Sequence, residues 1–523
     1  MVSGIKKKCK MRKLLFFGLI AFVVYSCSTK TGHLTGVLGR PGYQPEIPLG
    51  MVYVKAGAFN MGENDQDVAF LHQTRQKTAS VQAFYMDATE ITNNEYRQFV
   101  EHVKDSIARE KIYLTSEDES TEDFINYQDR YFDEESKEMV DYDPSDKEKN
   151  RKLFSLNWDR TFEYNQEEFL PLLTDMYYAS NERFYKKREF DTRKLMFKYY
   201  WLDLREAAKR GRVEIIPNGI DGKGNKTSDN HRKLNNPENS FTKQPQGLEK
   251  DMGMQNKKGQ NNAIRGHESR ERFIIEEVIN VYPDTLCWVR DFTYSFHDPM
   301  TNMYFHHPAY DNYPVVGVTW QQAKAFSVWR TQLLNNWLSA MGELYVNDFR
   351  LPSEAEWERA ARGDLAQSQY PWGGPYTRNA HGCFLANFKP MRGRYAEDGG
   401  FATVKAYSYQ PNGFGLYCMA GNVSEWCETA FDESVYEFST DVNPEYRYDA
   451  MDWDPPKLKQ KVLRGGSWKD IGYYCMTSTR TYEYQDTAKS YIGFRNVMTH
   501  LGRGGNDFSK EGSEEIINEI ELR

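Results

Sequence analysis

The stretch Arg464-Gly465-Gly466-Ser467-Trp468 leads to an acid at Asp470 and a thiol at Cys475. A thiolate is a soft donor and a carboxylate a hard one, so the two do not make a matched pair of sulfurs. Cys475 is then either a reactive sulfur lacking its partner or a small side chain packed as an apolar one. His306-His307 offer imidazole ligands, yet neighbours in an extended segment point to opposite faces and do not readily share one metal.

Three segments carry a helix-start pattern, in which a hydroxyl caps the first free N–H groups and an acid or amide three places on reaches back. They are Thr92-Asn93-Asn94-Glu95, Thr319-Trp320-Gln321-Gln322 and Ser353-Glu354-Ala355-Glu356. The first predicts a helix burying Tyr96, Phe99, Val100 and Val103. The second predicts one with Ala323, Phe326, Arg330, Leu333 and Trp337 on a shared stripe, the arginine lying along it. The third stops at Gly363, a natural residue past a helix end.

At the N-terminus a basic run from Lys6 to Lys13 precedes an apolar stretch, Leu14 to Tyr25, that ends at Ser26-Cys27. This is the pattern of a bacterial lipoprotein signal over residues 1–26, with Cys27 as the lipidated residue. Acyl chains on Cys27 would anchor the mature chain to a membrane without crossing it. No later segment offers the ~18 consecutive apolar residues of a membrane span.

A net charge of −8 argues against nucleic acid as a ligand, since such binding rests on basic surface. Aromatic residues make up 15% of the chain, enough to pack irregular loops around rings. Beyond Cys27, cysteines 287, 383, 418, 427 and 475 form an odd set within an exported chain, so at least one free thiol is expected.

After the tether, residues 27–49, the predicted domain covers 50–500 and is interrupted by an insertion, 104–312. Within it, the charged and aromatic runs DYDPSDKEKNRK and FYKKREFDTRKLMFKYYWLDL read as helices with solvated faces. Pro217 to Asn262 is too polar to bury itself and reads as a flexible loop. The run RFIIEEVINVYPDTLCWVRDFTYSF reads as paired strands. The tail, 501–523, ends in a short amphipathic stretch suited to docking a partner.

GMVYVKAGAFNMG from Gly50, Phe84-Tyr85-Met86-Asp87, Glu90-Ile91-Thr92-Asn93, PVVGVTW from Pro314, RLPSEAEWE from Arg350, YPWG from Tyr370, NGFGL from Asn412, GNVSEW from Gly421, RGGSW and Gly493-Phe494-Arg495 occur in that order. Together they resemble the formylglycine-generating enzyme family, the sulfatase-modifying fold, over roughly 51–103 and 313–498. The resemblance implies an α+β, C-type-lectin-like fold with little regular secondary structure and a large insertion. Active members hold Cu(I) on two cysteines, and here the first of those positions is Asp470 and the second Cys475. The expectation is a pseudoenzyme with no catalytic residue and no required cofactor. Another branch of the fold binds iron through histidines and a carboxylate, but His306-His307 fall outside the matched motifs.

The resemblance also implies structural calcium. The positions matching one site are Asn387, Phe388, Asp398 and Gly400; those matching the other are Gly421, Val423 and Glu425, with Cys418 where an Asp or Asn is usual. The lipoprotein signal, the insertion, the altered RGGSW site and the stretch LTGVLGRPG from Leu34 resemble the gliding-motility and type IX secretion lipoproteins of the GldK/PorK kind in the Bacteroidota, with GldJ lipoproteins the nearest confusion. That implies an outer-membrane lipoprotein facing the periplasm, self-associated in a ring with a GldN/PorN-type partner and other secretion components. Two alternatives stand beside it: a copper- and oxygen-dependent formylglycine generator, and a lectin-like surface binding module.

Overall fold

A computed structural model describes residues 47–63, 76–115, 124–127, 130–133, 138–141, 154–202, 274–295, 297–451 and 453–501. The signal segment, Cys27, most of the tether, the Pro217–Asn262 loop and the tail beyond Leu501 lie outside the described residues.

Each of the three predicted caps forms. Thr92 opens α1 (Asn93–Thr115), with the Thr92 N–H donating to Glu95 Oε2 at 2.8 Å. Thr319 opens α3 (Trp320–Met341) and Ser353 opens α4 (Glu354–Arg362), both through reciprocal capping boxes. Gly342 ends α3 in the left-handed region at φ 76°, where a residue without Cβ is unstrained. The α1 helix runs past residue 104, so the inserted chain leaves the core as a continuation of this helix.

Two small sheets hold the fold. One contains β1 (Met51–Val54), β4 (Phe84–Asp87), β12 (Val497–Thr499) and β7 (Phe349–Arg350), in that spatial order and all antiparallel. The other orders β10 (Thr481–Tyr484), β9 (Gln460–Arg464), β8 (Ser424–Ala430) and β11 (Ile492–Gly493), with only the last pairing parallel. A hairpin of β2 (Gly57–Met61) and β3 (Lys77–Val81) stands beside α4. Every residue of β8 and α4 is buried, including their acids and arginines. The architecture is α+β with short elements and long connecting loops, as the motif order implies.

Three expectations change. FYKKREF…KYYWLDL is not helical: it makes two single 3₁₀ turns, Phe184–Lys186 and Thr192–Lys194, and then strand β5 (Met196–Leu202). Its aromatics decide this, because Phe197, Tyr199 and Trp201 alternate inward against Lys198 and Tyr200, the period of a strand. RFIIEEVIN does form a strand, β6 (Ile274–Asn280), paired antiparallel with β5, but CWVRD folds as a short helix, α2 (Cys287–Asp291). The buried face of α3 ends at Thr331, leaving Leu333 and Trp337 exposed. Arg330 does keep to the stripe, its guanidinium 4.4 Å from the Phe349 ring and 2.9 Å from the Asp87 carboxylate.

The β5–β6 ribbon packs on α3, with Tyr199 and Leu195 joining Tyr96, Phe99, Phe326 and Trp329 in one core. A second cluster, Ile112, Tyr113, Phe124, Phe169, Leu173 and Met176, closes the inserted chain over the end of α1. The five cysteines at 287, 383, 418, 427 and 475 are all free thiols. Among the described residues no helix is long and apolar enough to cross a membrane.

Candidate functional site

The RGGSW turn follows β9 directly, and its two glycines are there for space. Gly465 has φ 91° and Gly466 φ 68°; a Cβ on Gly466 would sit 2.7 Å from the Tyr474 carbonyl and 2.9 Å from the Cys475 nitrogen. The turn is therefore pressed against the loop that carries Cys475. Asp470 folds back on the same turn, accepting the Ser467 hydroxyl at 2.6 Å, while its own carbonyl accepts the Lys389 N–H at 2.8 Å. Burial pushes the Asp470 carboxyl above the usual range, partly offset by the Ser467 hydrogen bonds.

Cys475 is 1% exposed and lies among Tyr370, Ala386, Phe388, Ala420 and Met476. Burial, and after it the Asp470 charge, hold the thiol far above its ordinary pKa. An enclosed thiol beside a carboxylate is not the thiolate pair that suits Cu(I). The geometry thus favours the packing reading of Cys475 over the reactive one.

The inserted segment covers the turn. Trp288 of α2 stacks on Trp468 with ring centroids 5.9 Å apart, and Phe292 stacks on Trp468 at 6.0 Å and on Trp288 at 5.9 Å. Asp291 accepts from both the Lys469 ammonium and the Ser490 hydroxyl. The close Gly317–Asp284 approach fixes this segment: a Cβ on Gly317 would meet the Asp284 carbonyl oxygen at 2.3 Å.

The two proposed calcium sets behave differently. Glu425 is bound by Arg495, whose Nε donates at 2.8 Å, and by the Trp357 indole N–H at 2.6 Å. A dication there would face a buried guanidinium, so Gly421, Val423 and Glu425 do not fit calcium. At the first set, Asp398 accepts the Phe388 N–H at 2.7 Å and the Gly400 N–H at 3.3 Å, and Asn387 Nδ2 donates to the Ala402 carbonyl and to Asn422 Oδ1. These contacts tie the loop together. Among the described residues no group of three or more His, Cys, Asp or Glu is arranged to hold a metal. His306 contacts Tyr282, whereas His307 Nδ1 accepts the Ala309 N–H, so the adjacent histidines serve separate partners.

What the motifs do not announce is a buried charge network behind the turn. Arg464 Nη2 reaches Glu354 Oε1 at 2.6 Å, Glu358 Oε2 at 2.9 Å and the Tyr436 hydroxyl at 2.8 Å. Arg480 binds Glu354 from the other side, and Arg362 binds Glu358 and the Gly62 carbonyl. Nearby, Glu90 accepts Asn422 Nδ2 at 2.9 Å; burial, then the Glu425 charge, raise its pKa well above the ordinary range. The signal in the sequence was charge density on α4, where EAEWERAAR has too many acids and bases for a short helix that also carries a core tryptophan.

The chain matches the sulfatase-modifying factor enzyme 1-like domain over residues 41–166 and 269–500, and it belongs to that family. A formylglycine-generating enzyme of Streptomyces coelicolor is 36% identical over 192 residues, which is 35% of this chain and 52% of that protein. An inactive C-alpha-formylglycine-generating enzyme 2 of Bos taurus is 33% identical over 190 residues, 35% of this chain and 49% of that protein. The matched stretch thus spans about half the length of these curated relatives. Among solved structures, PvdO from Pseudomonas aeruginosa is similar over 88% of this chain and 99% of its own, at 14% identity and a TM-score of 0.38.

Proposed function

We propose that this chain is a non-catalytic structural lipoprotein of the gliding-motility and type IX secretion machinery, of the GldK/PorK kind. The carrying observation is the pair Asp470 and Cys475, a hydrogen-bonded carboxylate and an enclosed thiol where the family's chemistry requires two thiolates. The stacking of Trp288 and Phe292 on Trp468 supports the same reading, because it commits the turn to packing. The existence of inactive relatives shows that the family accommodates such loss.

On this reading Cys27 fixes the chain to the periplasmic leaflet of the outer membrane. The domain then assembles with a GldN/PorN-type partner into a ring, through contacts that close on themselves. No cofactor is required, and the inserted segment supplies surface for neighbouring subunits.

The test is affinity purification of the tagged chain from its native membrane, with co-purifying proteins identified and particles imaged. A stoichiometric partner in ring-shaped particles supports the proposal. A lone monomer carrying copper would return Cys475 to the role of ligand and the chain to the enzymes.

A further inference from the structure

We infer that the exposed end of α3, together with the first residues of the domain, forms a face that dips into the lipid surface. The inference rests on the reading that Cys27 is acylated, and it adds what that reading lacks: which side of the domain meets the bilayer.

From Thr331 to Gly342 the chain has no charged residue, in a protein that is 27% charged. Yet this is not buried helix. Leu333, Trp337 and Met341, spaced four apart on one face, are 48%, 57% and 64% exposed, and Tyr345 just past the Gly342 cap is 65% exposed. Leu334 and Val346 anchor the projecting end to the β1–β4–β12–β7 sheet by packing on Met51, Tyr85, Phe349 and Met498. The Val346 N–H donates to Asn335 Oδ1 at 3.0 Å, which holds the returning chain against the helix.

The start of the domain lies on the same side. Ile47 and Leu49 are 57% and 95% exposed, and the Leu49 carbonyl accepts from Arg330 on α3 at 3.4 Å. Cys27 precedes Ile47 by twenty residues. Fully extended, twenty residues reach at most about 70 Å, so an acylated Cys27 would keep the start of the domain within that reach of the leaflet.

Tryptophan and tyrosine settle at the headgroup level, with leucine and methionine reaching just below, and the lack of charges from Thr331 to Gly342 spares the cost of bringing an ion there. A single acyl attachment leaves orientation free. An apolar face engaging the same surface removes that freedom, because the tether raises its effective concentration at the bilayer. Subunits that must close a ring on a membrane need one shared tilt, and this contact would supply it.

The experiment uses vesicles of phosphatidylethanolamine and phosphatidylglycerol with brominated acyl chains, which quench tryptophan at the interface. The natural chain is reconstituted in one arm. In the other, the full mature chain carries a hexahistidine tag in place of Cys27 and is held on nickel-chelating lipid, so this arm reads the face whether or not Cys27 is acylated. With Trp337→Phe, vesicle-dependent quenching should fall at least about twofold in both arms. Equal quenching of wild type and Trp337→Phe on the nickel vesicles would overturn the inference. So would vesicle-free sedimentation showing a self-associated species that Trp337→Phe dissociates, since the face would then join two copies. Flotation of Cys27→Ser beside wild type tests acylation separately: if both float alike the acylation reading fails, while the nickel arm still decides the face.

Discussion

Trp288, in the inserted segment, stacks on Trp468 of the RGGSW turn with centroids 5.9 Å apart and planes 21° from parallel. The turn is here the floor of an aromatic cluster. Asp291, three residues on from Trp288, ties the same two pieces by accepting from Lys469 and Ser490. Asp291→Ala should therefore loosen the contact without unfolding the domain, costing about 1 kcal/mol for the lost acceptor. Hydrogen exchange checks it: amides of residues 467–470 should lose protection while those of α3 keep theirs.

Arg464 is the centre of the buried network, with Glu354, Glu358 and Tyr436 all within 2.9 Å of one nitrogen. Its removal leaves two acids short of a partner in a site that water does not reach. Arg464→Met should cost about 3–5 kcal/mol, read as a drop in denaturant midpoint at unchanged slope. A double variant that also replaces Glu358 with Gln should recover part of the loss, because one stranded charge is gone.

The helix caps were legible in the sequence because a capping box is a local device, complete within four residues. Asp470 and Cys475 were legible because the motif fixes their place. Strand β5 was not, since its charged residues suggest a solvated helix until the alternation of Phe197, Tyr199 and Trp201 is seen to face α3. The exposure of Leu333 and Trp337 was hidden for a different reason: helical spacing gives a face but not whether anything covers it. The resemblance placed Glu425 among calcium ligands, and its partner Arg495, 70 residues away in sequence, was not legible beside it.

That pairing yields a prediction about ions. With both Glu425 oxygens taken by Arg495 and Trp357, and Asp398 held by backbone N–H groups, calcium has little to bind. The melting temperature should move by less than about 1 °C between millimolar calcium chloride and EGTA. A rise of several degrees on adding calcium would show that Asn387, Phe388, Asp398 and Gly400 take up an ion after all.

Lys461 gives the fold a signature in alkaline solution. Fully buried, its ammonium lies 3.6 Å from the Trp320 ring centroid and donates to the Tyr448 carbonyl at 2.6 Å; burial, opposed by Asp449, lowers its pKa to about 8. In the unfolded chain the group stays protonated to about pH 10.4. Between these values the unfolded state binds more protons, so this residue's contribution to stability rises with pH through the window. The stability of wild type relative to Lys461→Met should therefore climb from pH 8 to pH 10, by something on the order of 2 kcal/mol. Denaturant midpoints of the two proteins across that range measure the difference.

Asp470→Cys separates copper ligation from catalysis. The Gly466 turn already presses on the loop bearing Cys475, so a second sulfur at 470 would lie on the same short segment, five residues before the first. Two soft donors would replace one, and Cu(I) affinity measured against a chromogenic chelator should tighten at least about 100-fold over wild type. Oxidation of a cysteine-containing peptide should nonetheless stay absent in wild type and remain weak in the variant, because Trp288 and Phe292 still stack on Trp468. Turnover by the unmodified chain would be the decisive contrary result: it would mean that a carboxylate and a buried thiol suffice, and that the aromatic cover opens to admit substrate.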